Sequence, residues 1–393
     1  ILERRQAGFR ITEVKSTTEA KDEHLPDVAI QTWVARGTGL PVVESHLMHL
    51  NKACRAPDLS NLFARGDRTA EVVLEFATIP GQVTSMIRVL EEPAPPDVPI
   101  GPHCDEPYEC PFKGRCWPVL PPHHFTTLAR LSAKKRTQLE ALGVVTIDQI
   151  PADFELTDNQ ERQRRAVVTG KPVIDPALGA ALKSYEGERV AFLDFETVRP
   201  AIPIWDGTGP YAQVPAQFSV HMADGRRGAG AQELTHCEWI ATGPEDPRPG
   251  IAQAVVEACR GADVVVAFNA TFERACLEML AGAVPALAPE LEQIRLRIKD
   301  LADPVRRSFY HPDFQGSYSL KKVVPALIPE LAYNDLEVAD GTTASNRLLS
   351  LMLNEPAMDE EIRQRFRQEL LDYCGRDTLV MVKLLEKLKK LAV

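Results

Sequence analysis

Apolar positions along the chain switch between two periods. Gly8 to Ser16 alternates apolar and polar residues like a strand, Leu25 to Ala35 repeats them at helical spacing, and Val42 to Leu50 returns to a strand. A helical stretch from Val83 to Glu92 then leads into Glu92-Pro-Ala-Pro-Pro-Asp-Val-Pro99, which its prolines make extended and semi-rigid. Between Pro118 and about Gly187 the pattern is helical and polar, with Leu128 to Leu142 as one helix, a stop at Gly143 and a new element from Thr146. From Glu188 onward strands alternate with helices. Strands are predicted around Asp194, over Gln217 to His221, near Glu233 and over Asp263 to Phe268, with a helix over Gly250 to Arg260. That alternation predicts a layered α/β domain. The chain is thus divided into residues 1–120, a helical linker over 121–187 and an α/β domain over 188–393.

The run Ala191-Phe-Leu-Asp-Phe-Glu-Thr197 is the focus of the third part. Asp194 and Glu196 are two apart on a strand, so both carboxylates leave the same face. Paired carboxylates on a core strand repel each other and lose hydration, and they persist most cheaply with a divalent cation between them. Oxygen ligands suit Mg or Mn. An edge strand with a solvated polar face is the plainer alternative. Two further acidic stations lie downstream. In Phe268-Asn-Ala-Thr-Phe-Glu-Arg-Ala-Cys-Leu277, Asn269 is read as a helix N-cap and Glu273 falls on the next turn. In Leu371-Asp-Tyr-Cys-Gly-Arg-Asp-Thr-Leu379, Tyr373 and Asp377 are four apart and share a helix face.

Composition narrows the picture. The 393 residues suffice for two or three domains, and their formal net charge of -10 argues against a surface coated for nucleic acid, though not against a local contact. The basic clusters Lys134-Lys135-Arg136, Arg162 with Arg164-Arg165, Arg306-Arg307 and Lys321-Lys322 read singly as solvated faces. No apolar run reaches membrane-spanning length and no signal peptide is visible, so a cytoplasmic location is expected. The start at Ile1, followed at once by charged sequence, reads as a fragment. Of the eight cysteines, Cys104, Cys110 and Cys116 cluster while Cys237, Cys259, Cys276 and Cys374 scatter, which speaks against a disulfide scaffold.

Taken together, D-x-E on a strand, N-x-x-F-E after a second strand and Y-x-x-x-D on a late helix resemble the DEDD exonucleases of the RNase H-like fold, in their tyrosine variant. The resemblance covers about Glu188 to Val393. It implies that Asp194, Glu196 and Asp377 hold two Mg or Mn ions, with Glu273 in the fourth carboxylate position, where the family usually has aspartate. It further implies that Tyr373 orients the attacking water and that DNA or RNA is degraded from a 3' end. The Gly316-Ser317 turn within His311 to Val323 opens a helix whose amides, with Lys321 and Lys322, are phosphate candidates; Asn269 is a further nucleic-acid candidate. A capped helix with exposed lysines fits the same segment.

Two other resemblances concern the earlier parts. Glu13-Val-Lys15 followed by Gln31 resembles RecB-like PD-(D/E)XK nucleases, which implies that Glu13 binds a metal and Lys15 positions water or stabilises charge. Cysteines spaced like Cys104, Cys110 and Cys116 hold a 4Fe-4S cluster in such nucleases. The fourth ligand is expected in a segment preceding Ile1, with Cys54 as the alternative, and zinc with His103 as its fourth ligand is the rival assignment. The segment around Gly143 resembles a helix-hairpin-helix unit, beside the plainer reading of a helical spacer. The whole resembles a bacterial family that fuses a RecB-like iron-sulfur nuclease module to an exonuclease domain. A binding or scaffolding protein with degenerate nuclease sites is the reading from another class.

Overall fold

The computed structural model describes residues 1–106, 108–116, 119–225, 233–338 and 340–392. Ile1–Val119 together with Pro200–Ala212 form one unit, and Leu120–Arg199 with Gln213–Val393 form the other. The stretch 121–187, set apart as a linker from its sequence, therefore shares a unit with the α/β elements, and 200–212 joins the first unit.

In the first unit, β1 (Leu2–Arg5), β2 (Gly8–Lys15), β3 (Val42–Leu50) and β4 (Phe63–Asp67) pair in that order among the described residues. β2 and β3 run parallel, which requires the crossover that α1 (His24–Gly37) supplies. Val28 and Ala29 of α1 pack on Ile11 and Val42, joined by Val72 of α2 (Thr69–Glu75) and Ile79 of α3 (Ile79–Glu91). The short α4 (Lys113–Cys116) follows the proline-rich run.

The second unit begins with α5 (Ala133–Ala141), α6 (Asp158–Thr169), β5 (Val173–Ile174) and α7 (Ala177–Leu182). The helix expected over Leu128 to Leu142 starts only at Ala133. Arg130 takes a left-handed backbone, incompatible with a continuing helix, and the Ser132 side chain caps the new start by accepting from Lys135 N–H. Gly143 ends α5 at φ +68°, as its position implied. Thr146 begins only a single 3₁₀ turn, Ile147–Gln149.

The main sheet follows: β6 (Arg189–Val198), β7 (Val214–Asp224), β8 (Glu233–Ile240), α8 (Arg248–Ala258), β9 (Val264–Ala267), α9 (Thr271–Ala283), α10 (Ala288–Arg297) and β10 (Ile298–Asp300). Among the described residues its strand order is β10-β9-β6-β7-β8, with β6, β7 and β8 antiparallel and β9 and β10 parallel to β6. The remaining elements are α11 (Ala302–Ser308), β11 (Phe309–Tyr310), α12 (Leu320–Leu327), α13 (Gly341–Leu353) and α14 (Glu360–Leu391).

Strand alternation sorts the two faces of the sheet. Ala191, Leu193 and Phe195 of β6 point into a core with Phe218, Val220, Val265, Ile251, Val255, Leu277 and Leu280, between the sheet and α8 to α10. The intervening Asp194 and Glu196 face the other way, opposite Ser219 and Gln217 of β7. That second face is covered by α14, whose Asp359 caps it by accepting from Ile362 N–H (2.8 Å). Glu360 and Glu361 in its first turn and Lys389 and Lys390 in its last complement the helix dipole. Gln217 Nε2 donates to Leu370 C=O (2.7 Å), and Thr378 Oγ1 meets both Ser219 Oγ and His221 Nδ1 at 2.7 Å. These side-chain bonds fix the register of α14 on the sheet.

One glycine holds the approach to α12 in place. Gly316 sits at φ +82°, and an added Cβ would lie 1.8 Å from the Thr127 carbonyl oxygen. Gly316→Ala is expected to cost about 2 kcal/mol or more, because backbone rather than a flexible side chain must yield. Thermal unfolding measures this, and an unchanged melting temperature would contradict the packing described.

Candidate metal centre

β6 and α14 bring three acids together. One ligand oxygen from each of Asp194, Glu196 and Asp377 lies within 4.8 Å of the others, and Glu196 and Asp377 are each only 8% exposed. Glu273, on the first turn of α9, is 2% exposed, and its Oε2 has no hydrogen-bond partner. It faces the same cluster electrostatically, since its charge acts on both Asp194 and Glu196.

Burial pushes all four carboxyls up, and repulsion by neighbouring acids adds to it at Asp194, Glu196 and Glu273. Asp194 moves well above the carboxylate range, through desolvation first and then the charges of Asp377, Glu196 and Glu273. Desolvation carries Glu196 to about 8, with Asp377 adding to it, and Glu273 to about 8, with Asp300 and Asp377 adding. Asp377 reaches only about 6, because hydrogen bonds and cations oppose its desolvation. Tyr333 donates to its Oδ1, Tyr373 also bonds it, and Lys321 and Arg376 favour its charged form.

Lys321 Nζ lies 5.3 Å from the Tyr373 ring centroid and 5.9 Å from that of Tyr333. Its charge also lowers Glu196. Cys374 Sγ reaches Asp194 Oδ2 at 3.4 Å. Arg376 ties the Tyr333 turn to α14 by donating to Ala332 C=O (3.0 Å) and to Asp335 (2.9 and 3.2 Å).

The cluster fits a hard divalent cation: buried acids in mutual repulsion, an orphaned carboxylate oxygen and a donor set of oxygens.

The residues singled out from sequence thus have distinct fates. Asp194, Glu196, Glu273, Tyr373, Asp377 and Lys321 meet in one place, whereas Lys322 is exposed. Asn269 does not cap α9. The N-cap is Ala270, while Asn269 has φ +62°, its N–H donates to Asp300 Oδ1 (2.9 Å), and its Oδ1 accepts from Arg306. The left-handed backbone, which Asn tolerates, turns its side chain to α11 instead. Tyr333 and Asp300 were not anticipated. Tyr333 stands in a 3₁₀ turn with no motif around it, and Asp300 ends a three-residue strand.

In the first unit, Gln31 Nε2 donates to Glu13 Oε2 (2.7 Å) and Lys15 Nζ lies 3.0 Å from Glu13 Oε1. Asp27, also unanticipated, pairs with Lys15 and is the largest cause of that lysine's raised pKa. Cys110 N–H donates to Cys104 C=O (2.9 Å), His103 Nε2 is 3.7 Å from Cys104 Sγ, and Cys116 is exposed. Cys54 is fully buried among Leu50, Leu62, Ala201 and Tyr211 and donates to Asp58 C=O (3.6 Å). Among the described residues, no helix is long and apolar enough to cross a membrane.

A family described as a domain of unknown function (DUF2779) matches residues 191–319. That span contains Asp194, Glu196 and Glu273 and stops short of Lys321, Tyr333, Tyr373 and Asp377. The chain is 24% identical over 211 residues to the uncharacterized MG366 homolog of Mycoplasma pneumoniae, covering 50% of this chain and 31% of that protein. It is 26% identical over 233 residues to the uncharacterized protein UU173 of Ureaplasma parvum, covering 54% and 32%. The chain therefore spans about a third of the length of the curated relatives it matches. Among solved structures, a family B DNA polymerase from the archaeon Pyrobaculum calidifontis aligns with 53% of this chain and 27% of its own, at 14% identity and a TM-score of 0.31. That superposition is too loose to fix the fold.

The raised acids set a pH dependence. Glu196 and Glu273 are ordinarily near 4.5 and lie near 8 in the folded chain, so folding favours their protonated forms. Their contribution to stability in metal-free protein is complete below about pH 4.5 and is lost as pH rises through about 8. A cation reverses the penalty by binding the charged forms. Mg or Mn is therefore expected to raise the melting temperature more at about pH 8.5 than at about pH 5.5. An equal shift at both, or none, would contradict the centre. Tyr333→Phe removes a donor to Asp377 and should move the pH midpoint of this metal effect upward; an unmoved midpoint would show that the donor does not matter.

Proposed function

We propose that the second unit is a metal-dependent nuclease that releases nucleotides from the 3' end of DNA or RNA, on an RNase H-like domain. The observation that carries this reading is the meeting of Asp194, Glu196 and Asp377 within 4.8 Å on the covered face of the sheet, with Glu273 buried beside them. Structural caps and surface acids would not converge in this way. Asp194, Glu196 and Asp377 would hold two Mg or Mn ions, with Glu273 contributing the fourth carboxylate. Bound there, the ions supply activation of a water and neutralise charge on the leaving oxygen of a phosphodiester.

The chain's own residues account for the rest. Tyr373 has its pKa pushed up by burial and by the charges of Asp377, Glu196 and Asp194, so it keeps its proton and can donate to the attacking water. Lys321 supplies positive charge beside Glu196 and Asp377 while the substrate adds negative charge. Hydrolysis joins water to phosphorus, breaks the P–O3' bond and leaves the proton on the 3' oxygen.

The first unit carries a second proposal, a RecB-like nuclease remnant in which Glu13, Lys15 and Gln31 form the polar site. Their hydrogen bonds across β2 and α1 support it. Cys104, Cys110 and Cys116 are proposed as ligands of a 4Fe-4S cluster, with zinc and His103 as the rival that the proximity of His103 to Cys104 favours.

The test is degradation of 3'-labelled and 5'-labelled single-stranded DNA and RNA with Mg or Mn. Asp194→Asn, which keeps shape and removes charge, is expected to lower the rate at least about a thousandfold while the protein stays folded. Undiminished hydrolysis in that variant would overturn the site. Absence of hydrolysis with any divalent ion, alongside salt-sensitive binding, would instead indicate a nucleic-acid-binding protein.

A further inference from the structure

The second unit contains a cleft of about 900 Å³ outside the carboxylate cluster, lined among others by Arg130, Asn269, Arg306, Arg307, Gly316 and Ser319. We infer that this cleft holds the phosphodiester backbone of a single-stranded polynucleotide on its way to the metal centre. That the strand leads on to the metal centre rests on the nuclease reading; the cleft's binding chemistry stands separately.

Position links the cleft to the centre at two points. Asn269 directly precedes the turn into α9, whose first turn bears Glu273. Ser319 is the N-cap of α12, and Lys321, two residues on, lies over Tyr373. The Ser319 side chain makes no cap hydrogen bond to α12.

Charge is supplied by three arginines. Arg306 is partly spoken for, since it donates to Asn269 and lies 3.9 Å from Asp303 and 4.0 Å from Asp300. Arg130 and Arg307 are exposed, and neither has a side-chain ion pair among the described residues. Asp158 and Asp303 also line the cleft, so it is a local track rather than a strongly basic surface. That suits a chain of net charge -10, where non-specific attraction is weak and contacts must be placed. Arg130 also holds a left-handed backbone, φ +51°, which is unfavourable for a non-glycine residue. Arg130 belongs to the cleft wall formed by the 120–187 segment, with Thr157 and Asp158. That segment therefore contributes to substrate binding rather than serving as a spacer.

The lining offers cations and hydroxyls, with Tyr318 as the one aromatic residue among those that line it, so it has no row of rings for stacking bases. The expected recognition is of phosphates, common to DNA and RNA, without sequence preference.

The test uses the full chain with Asp194→Asn as background, so that bound strands are not degraded. Binding of fluorescent single-stranded DNA and RNA 12-mers is followed by anisotropy against salt, with and without Arg130→Ala and Arg307→Ala. The pair of substitutions is expected to weaken binding about tenfold or more and to reduce the slope of log K against log salt by about 0.7 per arginine. An unchanged affinity and slope would overturn the cleft. Both arginines are exposed, so the substitutions leave the fold intact, which circular dichroism verifies. Hydrolysis of a mononucleotide p-nitrophenyl ester by the otherwise unaltered protein separates the two readings. Turnover of that ester with unchanged 12-mer binding in the variants defeats the cleft and leaves the nuclease. Loss of 12-mer binding without any ester turnover supports the cleft and counts against the nuclease.

Discussion

The convergence of Asp194, Glu196 and Asp377, with the buried Glu273 acting on them electrostatically, is the constraint on which the second unit depends. In an apolar setting each loses hydration and raises its neighbours' pKa, and nothing in the hydrophobic core returns that free energy. The protein offsets it in part. Tyr333 and Tyr373 bond Asp377, Cys374 reaches Asp194, and Lys321, near both tyrosine rings, favours the charged forms of Glu196 and Asp377. Lys321, Arg376 and Arg274 only partly offset the four acids, which leaves a residual preference for protonation or for a multivalent cation. The site is thus a destabilised element held by its surroundings, a common condition of sites that do chemistry.

What holds it is the docking of α14. A helix on a sheet can slide or rotate, and a rotation by one residue would carry Asp377 away from Asp194. Gln217, Ser219 and His221 bond specific positions of the helix, so the polar face of β7 reads the helix register much as hydrogen bonds fix a strand pair. His221 stacks on His236 at 4.3 Å, and desolvation lowers its pKa to about 4, so it remains neutral and the network carries no added charge at physiological pH. On the opposite face, ordinary apolar packing against α8 to α10 anchors β6 itself. The same strand therefore serves the core and the chemistry through its alternation.

This division explains what could be read from the sequence. A period of two in Ala191 to Thr197 identified the strand and put both of its acids on one side, and the spacing of Tyr373 and Asp377 put them on one helix face. Those are local rules, and they gave Asp194, Glu196, Tyr373 and Asp377 directly. Glu273 followed from its place after the buried Val264–Ala267 strand. Lys321 was a candidate for another reason, as part of a helix start. Asn269 failed as a cap because its backbone is left-handed and Arg306, distant in sequence, takes its side-chain oxygen, a contact that no local pattern encodes. Tyr333 and Asp27 were missed in the same way: each matters only through a partner brought close by tertiary folding. The 120–187 segment looked like a spacer because its polar helices show little of their packing until Arg130 and Asn269 are seen in one cleft.

The central claim is that these carboxylates are a divalent-metal centre. Electron paramagnetic resonance of Mn(II) titrated into the protein tests it without requiring any substrate or activity. The account predicts binding of Mn(II) in a form distinct from the free aquo ion, strengthened by raising pH through about 8 and abolished in Asp194→Asn. Binding that persists unchanged in Asp194→Asn, or a spectrum of free ion alone at every pH, would contradict it.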